Sequence, residues 1–357
     1  MGTAERNSAL EKAFSGERIT AEEGLLLLSE APLLELGRAA DAVRRRKRPD
    51  NVVTYIVDRN INYTNVCVAR CAFCAFYRKP GDPEGYVLPM EAILEKVRET
   101  VELGGTGILL QGGHNPTLPF SFYEEMLRTL RREFPSVHLH AFSPPEVTFF
   151  ARRFGMALTE VIGRLKEAGL MSIPGGGAEI LSERVRGEMA GGKATVEEWL
   201  AVMREAHRQG LRTTATMMFG SIEGPEDLLI HLQHLRDLQD ETGGFTAFIP
   251  WTFQPGPATP LQEATATGVD YLKVLALSRV FLDNFDHVQA SWVTQGLKMG
   301  QVALFFGADD MGSIMIEENV VASAGCRNRT NEAELRRLIA DAGFVPRKRR
   351  TLYEPAE

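Results

Sequence analysis

Three of the four cysteines in this chain, Cys67, Cys71 and Cys74, fall within eight consecutive positions. Thiolates are soft, strong ligands for iron–sulfur clusters, which are normally held by several cysteines that lie close together in sequence. Three protein ligands on a four-iron cluster would leave one iron open to a ligand from outside the protein. The fourth cysteine, Cys326, stands alone and is interpreted as a small buried hydrophobe rather than a ligand or nucleophile.

Zinc is the alternative metal for a short cysteine motif. Structural zinc sites need a closed set of four ligands, usually two pairs of cysteine or histidine at short spacing. The sequence offers no second pair of cysteines separated by two residues, and no histidine at finger spacing from Cys67, Cys71 and Cys74. The spacing of three and then two residues therefore favours an iron–sulfur cluster.

The bulk composition is that of a globular protein with a large core. Of 357 residues, 44% are hydrophobic and 24% charged, and the net charge of -7 gives no reason to expect nucleic acid as a partner. Two basic runs, 44–48 and 347–350, are interpreted as solvated segments. No apolar stretch is long enough to span a membrane, and the polar N-terminus lacks the apolar core of a signal peptide, so the expected location is a reducing cytoplasm.

Strand-like and helix-like patterns alternate along most of the chain, which predicts parallel β–α–β units. About eight such pairs favour a closed (β/α)8 barrel of the TIM type over an open sheet. The predicted boundaries are an N-terminal helical flank over 1–50, the barrel over 51–325, and a C-terminal helical extension packed on the barrel over 326–357. The last barrel strand is predicted at Ala303–Phe306, just before Gly307.

In such a barrel the chemistry lies on loops that follow the C-terminal ends of the strands. The first predicted loop holds the three cysteines. The next four loops are rich in glycine, proline and acidic residues, and they cover Gln111–Pro116, Ser143–Glu146, Pro174–Glu179 and Gly220–Gly224. We therefore expect these segments to surround one site.

The cysteine spacing in a first β–α loop, with Phe73 just before the last cysteine, resembles the radical S-adenosylmethionine (SAM) superfamily. The resemblance implies that Cys67, Cys71 and Cys74 hold a [4Fe–4S] cluster whose fourth iron is chelated by SAM. It further implies that an electron from the reduced cluster cleaves SAM and releases a 5′-deoxyadenosyl radical. The SAM-binding residues expected from it are Gly112 and Gly113 (methionyl amino group), Glu179 (ribose hydroxyls), Arg186 (methionyl carboxylate), Ser143 and Glu223.

A closer resemblance covers nearly the whole chain. Segments such as Val57–Asn65, Pro174–Leu181 and Met217–Gly220 are similar to a group containing the futalosine-pathway menaquinone enzymes and the deazaflavin-precursor synthases. Within it, Tyr55–Asn60 and Ser291–Gly300 most resemble the branch that cyclises dehypoxanthine futalosine. That branch implies hydrogen abstraction from the fourth carbon of the substrate ribose, followed by addition of the carbon radical to the substrate's own aromatic ring. The sister branches remain alternatives.

The substrate half of the site is predicted from chemistry at the strand ends. The cyclisation needs a proton acceptor, and Glu146 and Asp310 are the predicted catalytic residues, with Glu318 a further carboxylate nearby. Asn115, Trp251, Gln254 and Ser291 are the predicted substrate-binding residues. The expected partners are a small nucleoside-like substrate and an external one-electron reductant of the flavodoxin or ferredoxin type, with no nucleic acid and no membrane. An iron–sulfur binding or sensing protein is the alternative of another class, although it has no use for the later glycine and glutamate loops.

Overall fold

The computed structural model describes residues 3–257 and 259–356. The strands are β1 (Val52–Ile56), β2 (Asp58–Asn62), β3 (Gly107–Gln111), β4 (His138–Ala141), β5 (Ser172–Ile173), β6 (Arg212–Phe219), β7 (Phe245–Thr252), β8 (His287–Val288), β9 (Asp310–Ser313) and β10 (Val345–Lys348). The helices are α1 (Thr3–Ser15), α2 (Ala21–Glu30), α3 (Leu33–Lys47), α4 (Met90–Glu102), α5 (Phe120–Glu133), α6 (Pro144–Phe154), α7 (Leu158–Ala168), α8 (Glu183–Ala190), α9 (Val196–Arg208), α10 (Pro225–Thr242), α11 (Gly268–Phe281), α12 (Trp292–Gln295), α13 (Leu297–Ala303), α14 (Val320–Ser323) and α15 (Glu332–Asp341).

The sheet forms the predicted TIM-type barrel. Strands β2 to β8 pair in sequence order, and every pair is parallel. Strand β9 closes the ring: the backbone N–H of Ala290 donates to Asp310 at 2.8 Å on one side, and that of Ile314 donates to Ile56 at 3.0 Å on the other. Strand β1 is followed directly by β2, and the two act as one long strand of the barrel. Its first part, β1, pairs with β9, and its second part, β2, pairs with β3.

The predicted position of the last barrel strand, Ala303–Phe306, is wrong. Leu304–Phe306 is a turn of 3-10 helix that ends at Gly307, whose φ of 100° is left-handed, and the barrel strand follows at Asp310–Ser313. In this turn Leu304 and Phe306 are buried while Phe305 is 47% exposed. That alternation matches the two-residue period of a strand, and a three-residue apolar run is too short to distinguish the two structures.

The N-terminal helices pack on the outside of the barrel. Helix α2 begins at a capping box, in which Thr20 Oγ1 accepts from the N–H of Glu23 and Glu23 Oε2 accepts from the N–H of Thr20 at 2.8 Å. Helix α3 lies against α11. No helix in the described part of the chain is long and apolar enough to cross a membrane. The cytoplasmic location and the domain boundaries at residues 50 and 325 remain predictions.

The C-terminal segment returns to the barrel after helix α15. Strand β10 pairs parallel with β1, with Val345 opposite Val52. The chain then turns inward, where Arg349 is buried and donates its backbone N–H to Tyr55 at 2.9 Å. This segment lies at the N-terminal ends of the strands, opposite the cysteine loop, and it closes that end of the barrel.

Candidate active site

A cavity of about 450 Å³ runs along the barrel axis. Its upper end is lined by Cys67, Cys71 and Cys74 on the loop that follows β2. Its lower end is lined by Arg349, Thr351 and Tyr353 of the C-terminal segment. The volume is in the range of small-molecule sites. A ligand bound near the cysteines can therefore extend down the axis toward the C-terminal segment.

The backbone holds the cysteine loop in place. The N–H of Cys67 donates to Arg78 at 2.9 Å, and that of Ala72 donates to Met189 at 2.9 Å. Burial raises the pKa of Cys71 to about 12 and also raises that of Cys74. A cation bound to sulfur, as iron provides, would stabilise the thiolate forms that burial disfavours. The donor set of three thiols therefore fits a cluster. Cys326 lies elsewhere, and its thiol donates to the carbonyl of Val293 at 3.1 Å.

The second loop approaches the cysteines so closely that side chains are excluded. A Cβ on Gly113 would lie 2.3 Å from the carbonyl oxygen of Val66 and 2.9 Å from the Cβ of Cys67. A Cβ on Gly112 would lie 2.5 Å from the ring of Tyr63. Both glycines line the cavity, so the backbone itself forms this wall.

Glu146 holds the loop of Gly112 and Gly113 by hydrogen bonds. Its carboxylate accepts four hydrogen bonds: from Tyr63 Oη at 2.6 Å, from the N–H of Gly112 at 3.0 Å, and from the N–H and Oγ of Ser143, both at 2.8 Å. Ser143 and Glu146 form the capping box of α6. Burial raises the pKa of Glu146, although these donors oppose the shift. The capping-box spacing of Ser143 and Glu146 was visible in the sequence and indicated this structural pairing.

Glu179 lies at the upper end of the cavity in a left-handed backbone conformation, with φ of 42°. Its Oε1 accepts from Lys193 Nζ at 3.1 Å, whereas its Oε2 is buried and has no hydrogen-bond partner in the described structure. Arg186 Nη1 lies 3.7 Å from this oxygen, beyond hydrogen-bond distance, so the oxygen can still accept from a ligand that brings hydroxyl groups. The Lys193 ammonium also lies 5.0 Å from the centre of the Phe73 ring. Its pKa is raised because Cys71 and Glu179 outweigh the effect of burial.

Arg186 and Glu223 do not line the cavity. Arg186 is buried and donates to the carbonyls of Ala178 at 2.7 Å, Gly177 at 3.2 Å and Ala194 at 3.0 Å, so it holds the fourth loop. Glu223 accepts from Ser221 Oγ at 2.9 Å and from the N–H of Gly220, within its own turn. The structure thus uses both side chains to shape loops next to the cavity.

The predicted substrate residues divide in the same way. Trp251, Gln254 and Ser291 line the cavity. Asn115 does not: its Oδ1 accepts from the N–H of Thr117 at 3.0 Å, and its Nδ2 donates to Thr64 at 3.3 Å. It belongs to the turn that carries the glycine loop.

Asp310 lies below the cavity rather than in its wall. It is fully buried and binds Arg349 through both oxygens, at 2.5 Å to Nε and 3.0 Å to Nη2. Its Oδ1 also accepts from the N–H of Gly312 at 2.7 Å. Asp310 therefore positions Arg349, which reaches the cavity.

Sequence reasoning did not single out the polar residues inside the barrel. These residues, which line the cavity between its two ends, include Asp58, Asn60, Asn62, Gln111, His140, Thr214, Thr216 and Gln289. Asp58, Asn60 and Asn62 alternate along β2, and Thr214 and Thr216 alternate along β6. Polar residues at every second position of these strands were a signal that one face of each strand lines a polar cavity.

Comparison with known proteins adds the family. Residues 61–235 match the family model of the radical SAM superfamily, and residues 242–357 match that of the CofH/MqnC C-terminal region. A protein of Streptomyces coelicolor named cyclic dehypoxanthine futalosine synthase is 48% identical over 98% of this chain and 89% of its own length. One of Halalkalibacterium halodurans with the same name is 45% identical over 97% of this chain and 93% of its own length.

A third relative has a different name. The 5-amino-6-(D-ribitylamino)uracil–L-tyrosine 4-hydroxyphenyl transferase of Methanothermobacter thermautotrophicus is 44% identical over 98% of this chain and 97% of its own length. Among solved structures, methylornithine synthase is similar in fold, with a TM-score of 0.74 and 19% identity over 95% of this chain and 97% of that one. The hydrogenase maturase HydG reaches a TM-score of 0.77 at 16% identity over 97% of this chain and 76% of its own.

The family fixes the cofactors and the general kind of chemistry. Radical SAM enzymes use a [4Fe–4S] cluster and SAM, act on small molecules and need an external reductant. The cavity offers three thiols, a glycine wall and an unpartnered carboxylate oxygen, which fit that pair of cofactors. The chain is an enzyme of the radical SAM superfamily and belongs, within it, to the family of the cyclic dehypoxanthine futalosine synthases and the 4-hydroxyphenyl transferases.

Proposed function

We propose that this enzyme cyclises dehypoxanthine futalosine in menaquinone biosynthesis. The observation that carries the proposal is the identity of 48% and 45%, over nearly the whole chain, to two bacterial proteins named for that reaction. The cavity supports it, because it is continuous from the cysteine loop to the C-terminal segment and its volume is in the range of small-molecule sites.

The upper half of the cavity is the proposed binding site of the cluster and SAM, where the radical forms. In our proposal Cys67, Cys71 and Cys74 bind the cluster, the backbone of Gly112 and Gly113 meets the methionyl amino group of SAM, and Glu179 accepts from the ribose hydroxyls. When bound, the cluster and SAM supply the 5′-deoxyadenosyl radical that removes hydrogen from the substrate ribose. Glu146 and Ser143 position the glycine loop, since the carboxylate of Glu146 bonds both to the loop and to Ser143.

The substrate lies below the cofactor in our proposal. At the C-terminal ends of β7 and β8, Trp251 supplies an apolar wall, and Gln254 and Ser291 supply polar groups for the substrate's oxygens. Arg349 is the cation at the lower end, and Asp310 fixes its orientation. Positioning dominates radical reactions because a primary carbon radical attacks the nearest C–H bond. A flavodoxin or ferredoxin is the proposed source of the electron.

Mass spectrometry tests this proposal. The protein is reconstituted anaerobically with iron and sulfide, reduced, and incubated with SAM and dehypoxanthine futalosine. The expected result is 5′-deoxyadenosine together with a product two hydrogens lighter than the substrate. Formation of 5′-deoxyadenosine without that product contradicts cyclisation. Failure to form any 5′-deoxyadenosine contradicts the whole radical mechanism.

A second candidate activity follows from the archaeal relative. Its 44% identity over 98% of this chain is close to the 45% of the second bacterial relative. Overall sequence identity therefore does not distinguish between the two named activities. The same reconstituted enzyme is therefore incubated with 5-amino-6-(D-ribitylamino)uracil and L-tyrosine. We expect no coupled product. A coupled product, formed while dehypoxanthine futalosine is left unchanged, reverses the assignment.

A further inference from the structure

Four carboxylates line the cavity in the described part of the chain: Asp58, Glu146, Glu179 and Glu318. The proposed ring closure needs a base, because an aromatic carbon that has gained a new bond must lose its proton. The two histidines of the cavity, His114 and His140, are weak bases because burial lowers the pKa of each to about 3, so the four carboxylates are the candidates. A base needs a free oxygen and a place beside the substrate rather than beside the cysteines. These two requirements separate the four side chains.

Three of the four do not meet them. Glu146 accepts hydrogen bonds at both of its oxygens. Glu318 does so as well, because Oε1 accepts from Val320 and Val321 and Oε2 accepts from Ala322, at 2.8–2.9 Å. Glu179 lies at the cysteine end of the cavity, and both of its oxygens face cations: Oε1 accepts from Lys193, and Oε2 lies 3.7 Å from Arg186 Nη1.

Asp58 meets both requirements. Its Oδ1 accepts from Ser313 Oγ, and its Oδ2 has no hydrogen-bond partner among the described residues. Asp58 stands opposite Gly107, the first residue of β3, whereas Asn62 stands opposite Gln111, the last. It therefore lies about 13 Å along β2 below Asn62, toward the lower end of the cavity.

The neighbourhood of Asp58 favours a ligand. The Oδ1 atom of Asn60, two residues further along the same wall, is buried without a hydrogen-bond partner in the described structure. A buried acceptor without a donor costs free energy unless a ligand or water supplies one. Burial raises the pKa of Asp58, Ser313 and Arg349 lower it, and Asp310 raises it. The net upward shift makes its carboxylate a stronger base than an exposed aspartate.

We propose that Asp58 is the catalytic base that takes the ring proton after the new carbon–carbon bond has formed. This proposal rests on the proposed cyclisation. One hydrogen atom leaves the ribose carbon for the deoxyadenosyl radical, and the resulting carbon radical bonds to the aromatic ring. The ring radical then gives its proton to Asp58 and its electron to a one-electron iron–sulfur acceptor. The product has lost two hydrogens and is aromatic again.

The test separates hydrogen abstraction from ring closure. Substrate deuterated at the fourth ribose carbon is incubated with the reconstituted wild-type enzyme and with Asp58→Asn, which keeps an oxygen for Ser313. Deuterium in 5′-deoxyadenosine reports abstraction, and the lighter product reports closure. We expect Asp58→Asn to transfer deuterium within about twofold of wild type while the cyclised product per deoxyadenosine falls on the order of 100-fold.

Two further variants complete the experiment. Asp58→Glu keeps a carboxylate and is expected to recover part of the product ratio. Asp237→Asn makes the same exchange on the exposed face of helix α10 and is expected to match wild type. Iron content measured on each variant shows that the cysteine loop is folded.

Each other outcome overturns the proposal. If Asp58→Asn keeps the wild-type ratio of product to deoxyadenosine, another group takes the proton. If it loses deuterium transfer and product in equal proportion, Asp58 acts only in binding or folding. If the wild-type enzyme itself transfers deuterium but forms no lighter product, the proposed cyclisation fails and Asp58 has no such role.

Discussion

The two ends of the cavity are built in different ways. The upper end is made of backbone and short motifs: three cysteines within eight residues and a glycine loop that presses against them. The lower end is made of side chains from distant parts of the chain, where Asp310 of β9 binds Arg349 beyond β10 and Tyr353 stacks on His287 at 3.7 Å. The upper end thus depends on residues that are close in sequence, whereas the lower end depends on contacts between residues that are far apart in sequence.

The largest expected effect is at the upper end. Replacing Cys67 with alanine removes one of three thiols, and we expect complete loss of the cluster and of 5′-deoxyadenosine formation. Iron and sulfide analysis after anaerobic reconstitution checks this. Cys326→Ala is the matched control, because Cys326 lies outside the cavity and should keep full iron content. Equal iron in both variants would contradict the assignment of the cluster ligands.

The second largest effect is expected in the cavity wall formed by Gly112 and Gly113. Gly113→Ala places a methyl group 2.3 Å from the carbonyl of Val66, so either the glycine loop or the cysteine loop must move. We expect at least about a 100-fold loss of deoxyadenosine formation, since a displacement of this size removes much of the orientation on which the reaction depends. Gly187→Ala is the control, because a Cβ there meets open space. Similar rates for the two variants would show that the close approach is dispensable.

At the lower end, the largest effect is on stability. Arg349→Met leaves the carboxylate of Asp310 buried without its cation, which typically costs about 3–5 kcal/mol. We expect a large fall in the free energy of unfolding, measured with denaturant, and partial recovery in the double variant with Asp310→Asn. A double variant no more stable than Arg349→Met would show that the two side chains act independently.

Asp309 gives the lower end a pH dependence. Burial alone would raise its pKa, but Arg279 and His287 outweigh burial and lower it to about 2 from 3.8. Ionised Asp309 therefore stabilises the folded state fully at pH values above 3.8, its pKa in the unfolded chain. This contribution to the free energy of unfolding, about 2 kcal/mol, is lost as the pH falls through the folded-state pKa. Asp309→Asn should be less stable than wild type at pH 7, and the gap should narrow between pH 5 and 2 in denaturant titrations. A constant gap would contradict this linkage.

The smallest effect is again at the upper end. Glu179→Gln keeps the size of the side chain and removes the charge that Lys193 neutralises. We expect the affinity for SAM to fall about 10-fold, which corresponds to about 1.4 kcal/mol, while the cluster is retained. Equilibrium binding to the reconstituted protein measures this. Unchanged affinity would contradict a contact between Glu179 and SAM.

The sequence predicted the upper end better than the lower end, for a physical reason. The barrel, the cysteine loop and the glycine loop depend on local spacing and on alternation, which one sequence displays. The contacts of Glu146 with Tyr63 and Gly112, and that of Asp310 with Arg349, depend on which distant segments become neighbours, and single-sequence patterns do not contain that information. Asp310 was expected at a strand end, yet it begins β9, because the 3-10 turn before it was mistaken for the strand.

Asp58 shows how a further signal was missed. Its alternation with Asn60 and Asn62 along β2 indicates one polar face, but none of these three residues was predicted as a site residue. The roles of the predicted site residues remain predictions, and the variants above test the two ends separately.

The return of the C-terminal segment has a consequence for the order of synthesis. Every barrel strand from β1 to β9 and the cysteine loop leave the ribosome before Arg349 and Tyr353, which close the lower end. A nascent chain that ends near residue 325 therefore has the cluster ligands but an open-bottomed barrel, with Asp310 lacking its cation. The lower end of the cavity becomes complete only when translation has passed residue 353, so it forms later than the cysteine loop at the upper end.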